Sequence, residues 1–87
     1  MKADTVRGKK VKCYDNGGKT ADRYTVVYLE LVSGLRYYNA VGMSCAPFHP
    51  QGVGQHCTAQ LGRHLGKRIA FDDLPDDCKI LVENDLS

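Results

Sequence analysis

The sequence predicts a small α+β domain, a mainly antiparallel sheet of three to four strands with a C-terminal helix packed on one face. Two observations carry the sheet. Lys9 to Tyr14 and Arg23 to Val32 are strand-like in pattern and residue type, and glycine- or proline-bearing connections follow both Tyr14 and Met43. A third carries the helix: Cys78, Leu81, Val82 and Leu86 recur at intervals of three and four. Eighty-seven residues make a single domain, with a thin core, since folding at this size buries only about 60 to 65% of the surface of the unfolded chain.

Lys9 to Tyr14 places Val11 and Cys13 on one side and Lys10, Lys12 and Tyr14 on the other, and its lysines suit an edge strand. Arg23 to Val32 is dense in β-branched and aromatic residues. Val26, Tyr28 and Val32 face one way and Val27, Leu29 and Leu31 the other, which is the pattern of a central strand. Ser33-Gly34 then suits a tight hairpin into Leu35 to Met43, where Leu35, Tyr37, Val41 and Met43 alternate inward and Asn39 interrupts the face. Gln55 to Leu65 is ambiguous, with Ala59 and Leu61 or Leu65 marking a short helix that Gly62 weakens. Gly66 to Phe71 reads as a last short strand. Asp72, Asp73, Leu74 and Pro75 open the helix, acidic residues complementing its dipole and Pro75 suiting the first helical position. The two longest connections are Asn16 to Asp22 and Ser44 to about Gln55.

Composition narrows the class. A hydrophobic content of 43% with 25% charged residues fits a soluble globular protein rather than a disordered one. No stretch approaches the roughly 20 apolar residues of a membrane helix. Met1 to Lys12 lacks the apolar centre of an export signal, so the expected location is the cytoplasm. Cys13, Cys45, Cys57 and Cys78 form no Cys-x-x-Cys pair, and in a reducing compartment they remain thiols, Cys13 and Cys78 reading as core residues. The net charge of +2 is unevenly spread. Residues 1 to 12 carry five Lys or Arg and one Asp, whereas residues 72 to 87 carry six Asp or Glu and one Lys. These are two solvated surfaces or, for the basic end, an arm that contacts phosphate.

The candidate binding residues lie in the two long connections. Gly17-Gly18-Lys19-Thr20 resembles the end of a phosphate-binding loop, but the first glycine of that motif would fall at Cys13 and a strand follows instead of a helix. A nucleotide triphosphatase is therefore not expected. Asp15, Asn16, Lys19, Thr20, Asp22 and Arg23 still surround the glycine pair with more polar groups than a turn needs, which suggests a small anion site; the alternative is a salt-laced turn. Ala46 to His56 holds two prolines, two glycines and two histidines, the composition of an ordered irregular loop. There His49, Gln51, Gly52 and His56 complete the candidate surface, unless the histidines only brace main chain. A catalytic site would need Asp15 or Asp22 beside His49 or His56. Cys45, His49, His56 and Cys57 match no strong zinc spacing, and His64 reads as a surface residue, so no metal or cofactor is assigned. Tyr24 and Tyr28 share a face and read as core, while Tyr37 and Tyr38 must point opposite ways.

The run from Cys13 through Asp15-Asn16-Gly17-Gly18-Lys19-Thr20-Ala21-Asp22-Arg23 to Tyr28 resembles a family of small uncharacterised proteins encoded by bacteriophages and prophages. Gly42-Met43-Ser44, Pro47 to Gly52, Gly54-Gln55-His56, His64 to Ile69 and Leu74-Pro75 belong to the same resemblance. It implies a phage accessory protein of the bacterial cytoplasm, with no assigned activity. The resulting expectation is a non-catalytic binding module for a nucleotide, a nucleic-acid phosphate or a host protein. The alternatives are a small Asp/His or metal-dependent phosphoester hydrolase and a host-directed inhibitor.

Overall fold

The computed structural model describes residues 4–20, 22–32 and 37–87, side chains at positions 31 and 32 excepted. It is an α+β fold. Strands β1 (Asp4–Val6), β2 (Lys9–Asp15), β3 (Tyr24–Val32), β4 (Tyr38–Met43) and β5 (Gly54–Ala59) form an antiparallel meander in sequence order. A sixth, β6 (Lys67–Ile69), pairs with Cys13–Asp15 of β2 on the edge where β1 pairs with Lys9–Val11. Helix α1 (Asp76–Asp85) covers one face.

The sheet is thus larger than three to four strands, the additions being β1 and β5. β1 offers three residues of pattern, but Arg7 and Gly8, at φ 49° and 80°, make a two-residue turn whose twist suits a hairpin, so residues 4–12 are sheet rather than a basic arm. β5 contains no large apolar residue and is exposed at every position except Ala59. Six main-chain pairings with β4, from Met43–Gly54 to Tyr38–Ala59, hold it as an edge strand where side chains suggested a short helix. A 3-10 turn at Arg63–Leu65 takes up the rest of that segment.

β2 has neighbours on both sides, so its lysines do not mark an edge. β3 is central, and from Tyr24 to Tyr28 both its faces are buried. Toward the helix, Val11, Cys13, Val26, Tyr28, Val41 and Met43 pack with Leu74, Cys78 and Val82. On the other face, Tyr14, Val27, Ala40 and Ala59 pack with Leu61 and Leu65, as the chain crosses back from β5 to β6. Tyr24 joins the helix-side core, whereas Tyr37, read as inward, is 49% exposed. The Ser33-Gly34 hairpin and Leu35 lie outside the described residues. Pro75 precedes α1 rather than opening it, and its carbonyl accepts the Lys79 N–H.

The four cysteines divide by environment. Burial pushes the Cys13 thiol up to about 12 and that of Cys78 to about 11, against an ordinary 9.0, and Cys78 Sγ donates to the Ser44 carbonyl at 3.2 Å. The buried thiols keep protons that the unfolded chain releases near pH 9. Their contribution to stability is intact below that pH and declines above it. Iodoacetamide at pH 8 is expected to alkylate exposed Cys45 and Cys57 in the native protein and to reach Cys13 and Cys78 only on unfolding. Adduct counting by mass spectrometry checks this, and native-state labelling of Cys13 as fast as Cys45 would contradict it.

Candidate functional site

Antiparallel pairing brings the two long connections to the same end of the sheet, since Tyr24, which ends the first, pairs with Met43, which begins the second. Asp22 leans across the gap. A Cβ built on Gly42 would meet its Oδ2 at 2.9 Å, so the bare β4 backbone is what admits this carboxylate.

The first connection spends its polar groups on itself. Gly17 N–H donates to Asp15 Oδ1 at 2.8 Å, and the Gly18 and Lys19 amides donate to Asn16 Oδ1 at 2.8 and 3.1 Å. Asn16 Nδ2 donates to Thr20 Oγ1, and Thr20 Oγ1 to Asp22 Oδ1 at 2.7 Å. Arg23 grips both oxygens of Asp15 at 2.8 and 3.1 Å, and this pairing, with a smaller contribution from the Gly17 amide, lowers the Asp15 pKa. Gly17 and Gly18, at φ 77° and 89°, supply the left-handed positions this turn requires. The amides that would cradle an anion are therefore occupied by Asp15 and Asn16.

In the second connection, His49 N–H donates to the Ala46 carbonyl, Gly52 N–H to the His49 carbonyl, and His49 Nδ1 accepts the Gln51 amide at 3.1 Å. A Cβ on Gly52 would collide with the Ala46 carbonyl oxygen, which is why the loop closes on glycine. His49, Gln51 and Gly52 thus hold main chain.

His56 leaves this group. It pairs with Val41 inside β5, on the helix side, and its Nε2 lies 2.8 Å from Asp85 Oδ2 near the end of α1. The same oxygen accepts the Tyr28 hydroxyl at 2.7 Å. The carboxylate beside a histidine is therefore Asp85, and neither Asp15 nor Asp22. Tyr28 is buried, and its pKa is raised by that burial and by the carboxylate, which favours the protonated donor. Cys57, next in the strand, belongs to the opposite face, where Asp22 lies near it. Among the described residues no three His, Cys, Asp or Glu side chains are grouped to hold a metal ion.

His56, Asp85 and Tyr28 line a cleft of about 310 Å³, completed by Asn39, Ala40 and Cys57. Its opening has a local cause. β3 and β4 pair regularly through Val27–Ala40, but the next pair is Val32–Tyr38, so several β3 residues face Asn39 alone. Tyr28 meanwhile stays in register with Val11 of β2, and the strands part beside it. Tyr28 and Asp85 are also walls of a second hollow of about 130 Å³, with Lys9, Lys10, Glu30, Leu86 and Ser87.

Sequence reasoning reached His56 but missed its companions. Asn39 carried a signal, a polar residue breaking an apolar face. Asp85 carried none, being one of several acids on the polar side of a helix. Comparison of the chain with protein-family models, with curated proteins and with solved structures returned no match. Among the described residues no helix is long and apolar enough to cross a membrane.

Proposed function

We propose that this protein is a non-catalytic binding module whose ligand is a purine nucleotide, held in the cleft between β4, β5 and the end of α1. The observation that carries this reading is the shared use of Asp85 Oδ2 by Tyr28 and His56 on the cleft wall. Groups distant in sequence are locked in place there, leaving Asp85 Oδ1 and the Asn39 amide to meet the donor and acceptor edge of a base. The cleft volume falls at the small end of the roughly 300–1,000 Å³ usual for ligand sites. Lys9, across the Tyr28–Asp85 wall, supplies the cationic side for a phosphate, with Glu30 tied to the Lys10 amide at 2.8 Å. The glycine turn supports the site from a distance, by fixing the β2–β3 end of the sheet. The phage-type resemblance fits an accessory protein that binds rather than converts.

The test is a titration of isotope-labelled protein with purine and pyrimidine monophosphates, followed by amide NMR. Shifts are expected at Asn39, Ala40, His56 and Cys57 with purines, and Asn39→Ala is expected to weaken binding about tenfold, the loss of one buried hydrogen bond to ligand. Shifts confined to Gly17–Thr20 would return the site to the turn, and no shifts would end the proposal. A second reading rests on the His56–Asp85 pair, since a carboxylate on one imidazole nitrogen leaves the other placed as a general base. Hydrolysis of a phosphodiester that disappears in His56→Gln would establish it.

A further inference from the structure

We infer that the sheet face opposite α1 is a docking surface for the phosphate backbone of nucleic acid. Lys9 and Lys67 fall on the helix side of the sheet, and the remaining described strand cations fall on the other. Lys10 and Lys12 alternate with the helix-side core residues Val11 and Cys13, so both belong to the other face, with Tyr14. Arg68 pairs across from Tyr14 on β6, and its guanidinium stands over that ring at 5.8 Å. Leu61 and Leu65 anchor the crossing segment onto the same face, and between them Arg63 and His64 are exposed. Four cations and an imidazole therefore share one side of the sheet.

The acids are on the other side. Asp72, Asp73, Asp76, Asp77, Glu83 and Asp85 belong to α1 and the turn before it. Asp4 and Glu30 join them, Asp4 Oδ2 accepting the Phe71 amide and Glu30 lining the hollow at the helix end. Asp15 is neutralised by Arg23. Asp22 is the one acid leaning to the basic face, over Gly42 of β4, two strands away from Lys12. Arg7, Lys9, Lys67 and Lys79 offset part of the acidic side, and a net charge of only +2 thus conceals a face opposite α1 that is cationic and nearly free of acids. The occupant that matches is a polyanion with regularly spaced charges. Lys12 and Arg68, neighbours of Tyr14 along the strand and across the pair, lie within the reach of adjacent phosphates. This surface is separate from the cleft, which opens on the helix side.

Fluorescence anisotropy with a labelled oligothymidylate and a labelled DNA duplex tests the assignment. With about four phosphate contacts, affinity is expected to fall roughly 50-fold for the single strand and 150-fold for the duplex between about 50 and 200 mM salt. Lys10→Ser, Lys12→Ser and Arg63→Ser should each weaken binding to any sequence and reduce the salt slope by about 1. Lys10 and Arg63 are exposed and Lys12 half-buried, folding of all three variants is checked by circular dichroism, and Lys79→Ser on the helix should have no effect. Absence of binding at the lower salt, an equal effect of Lys79→Ser, or equally tight binding of polyglutamate would overturn the proposal.

Discussion

Gly66→Ala is expected to destabilise the protein by about 3 kcal/mol or more. Gly66 sits at φ 108° and ψ −158°, a backbone region essentially closed to residues with a side chain. That conformation alone costs about 1–3 kcal/mol. The added methyl also has nowhere to go. It would overlap the Asp15 carbonyl oxygen and approach Asn16 Cα at 2.6 Å and Asn16 N at 2.7 Å, all backbone of the adjacent strand end. Relief requires β6 to move away from β2, breaking the Lys67–Asp15 pairing that follows Gly66 directly. In a domain of this size such a loss lowers Tm by roughly 12–24 °C. Gly8→Ala is the matched control, with φ 80° and no atom within 4 Å of the new methyl, and its cost is limited to the about 1–2 kcal/mol of a left-handed residue. Urea denaturation of the two variants reads the difference, and equal losses would show that the contact with β2 does not matter.

Asp85→Ala is expected to cost about 2 kcal/mol and, if the proposed function holds, to abolish nucleotide binding. Tyr28 is only 3% exposed, and its hydroxyl donates to Asp85 Oδ2, so truncation leaves a buried donor without its acceptor. His56 loses its partner at the same time. Because His56 is 67% exposed, that second loss contributes little to stability and acts on the site. One opposing effect is removed with the carboxylate, a negative charge at the negative end of α1. Tyr28→Phe separates these contributions. In the Tyr28→Phe background, Asp85→Ala should cost about 1 kcal/mol less, since no hydroxyl remains to be stranded. Denaturant midpoints of the four proteins complete the cycle. Strict additivity would mean that the hydroxyl finds another partner, and the cleft wall would then be less rigid than its geometry indicates.

The elements legible in the sequence were those whose own side chains pay for them. β3 and the body of α1 announce themselves because apolar residues repeat at the period of each structure. Cys13, Tyr24, Tyr28 and Cys78 were readable as core for the same reason. β5 was not, because its polar residues contribute almost nothing to burial and its main chain is held by β4. β1 was too short to show a period. The site divides in the same way. The Asp15–Arg23 turn is local chemistry, visible as glycines among Asx and Thr residues, and its polar atoms do meet, although they meet each other. The group formed by His56, Asp85, Tyr28 and Asn39 spans β3, β4, β5 and α1, and no spacing within the chain relates those residues.

Residue pattern alone determined the α+β class, the central strand, the terminal helix and the two ordered connections, because each depends on side chains within about ten positions of one another. Tertiary structure decided which carboxylate stands beside which imidazole, where β3 and β4 separate to open a cleft, and how nearly all the acids fall on the helix side of the sheet. Those depend on register and strand order, set by long-range main-chain pairing whose hydrogen-bonding groups are the same at nearly every residue and leave no mark in the sequence.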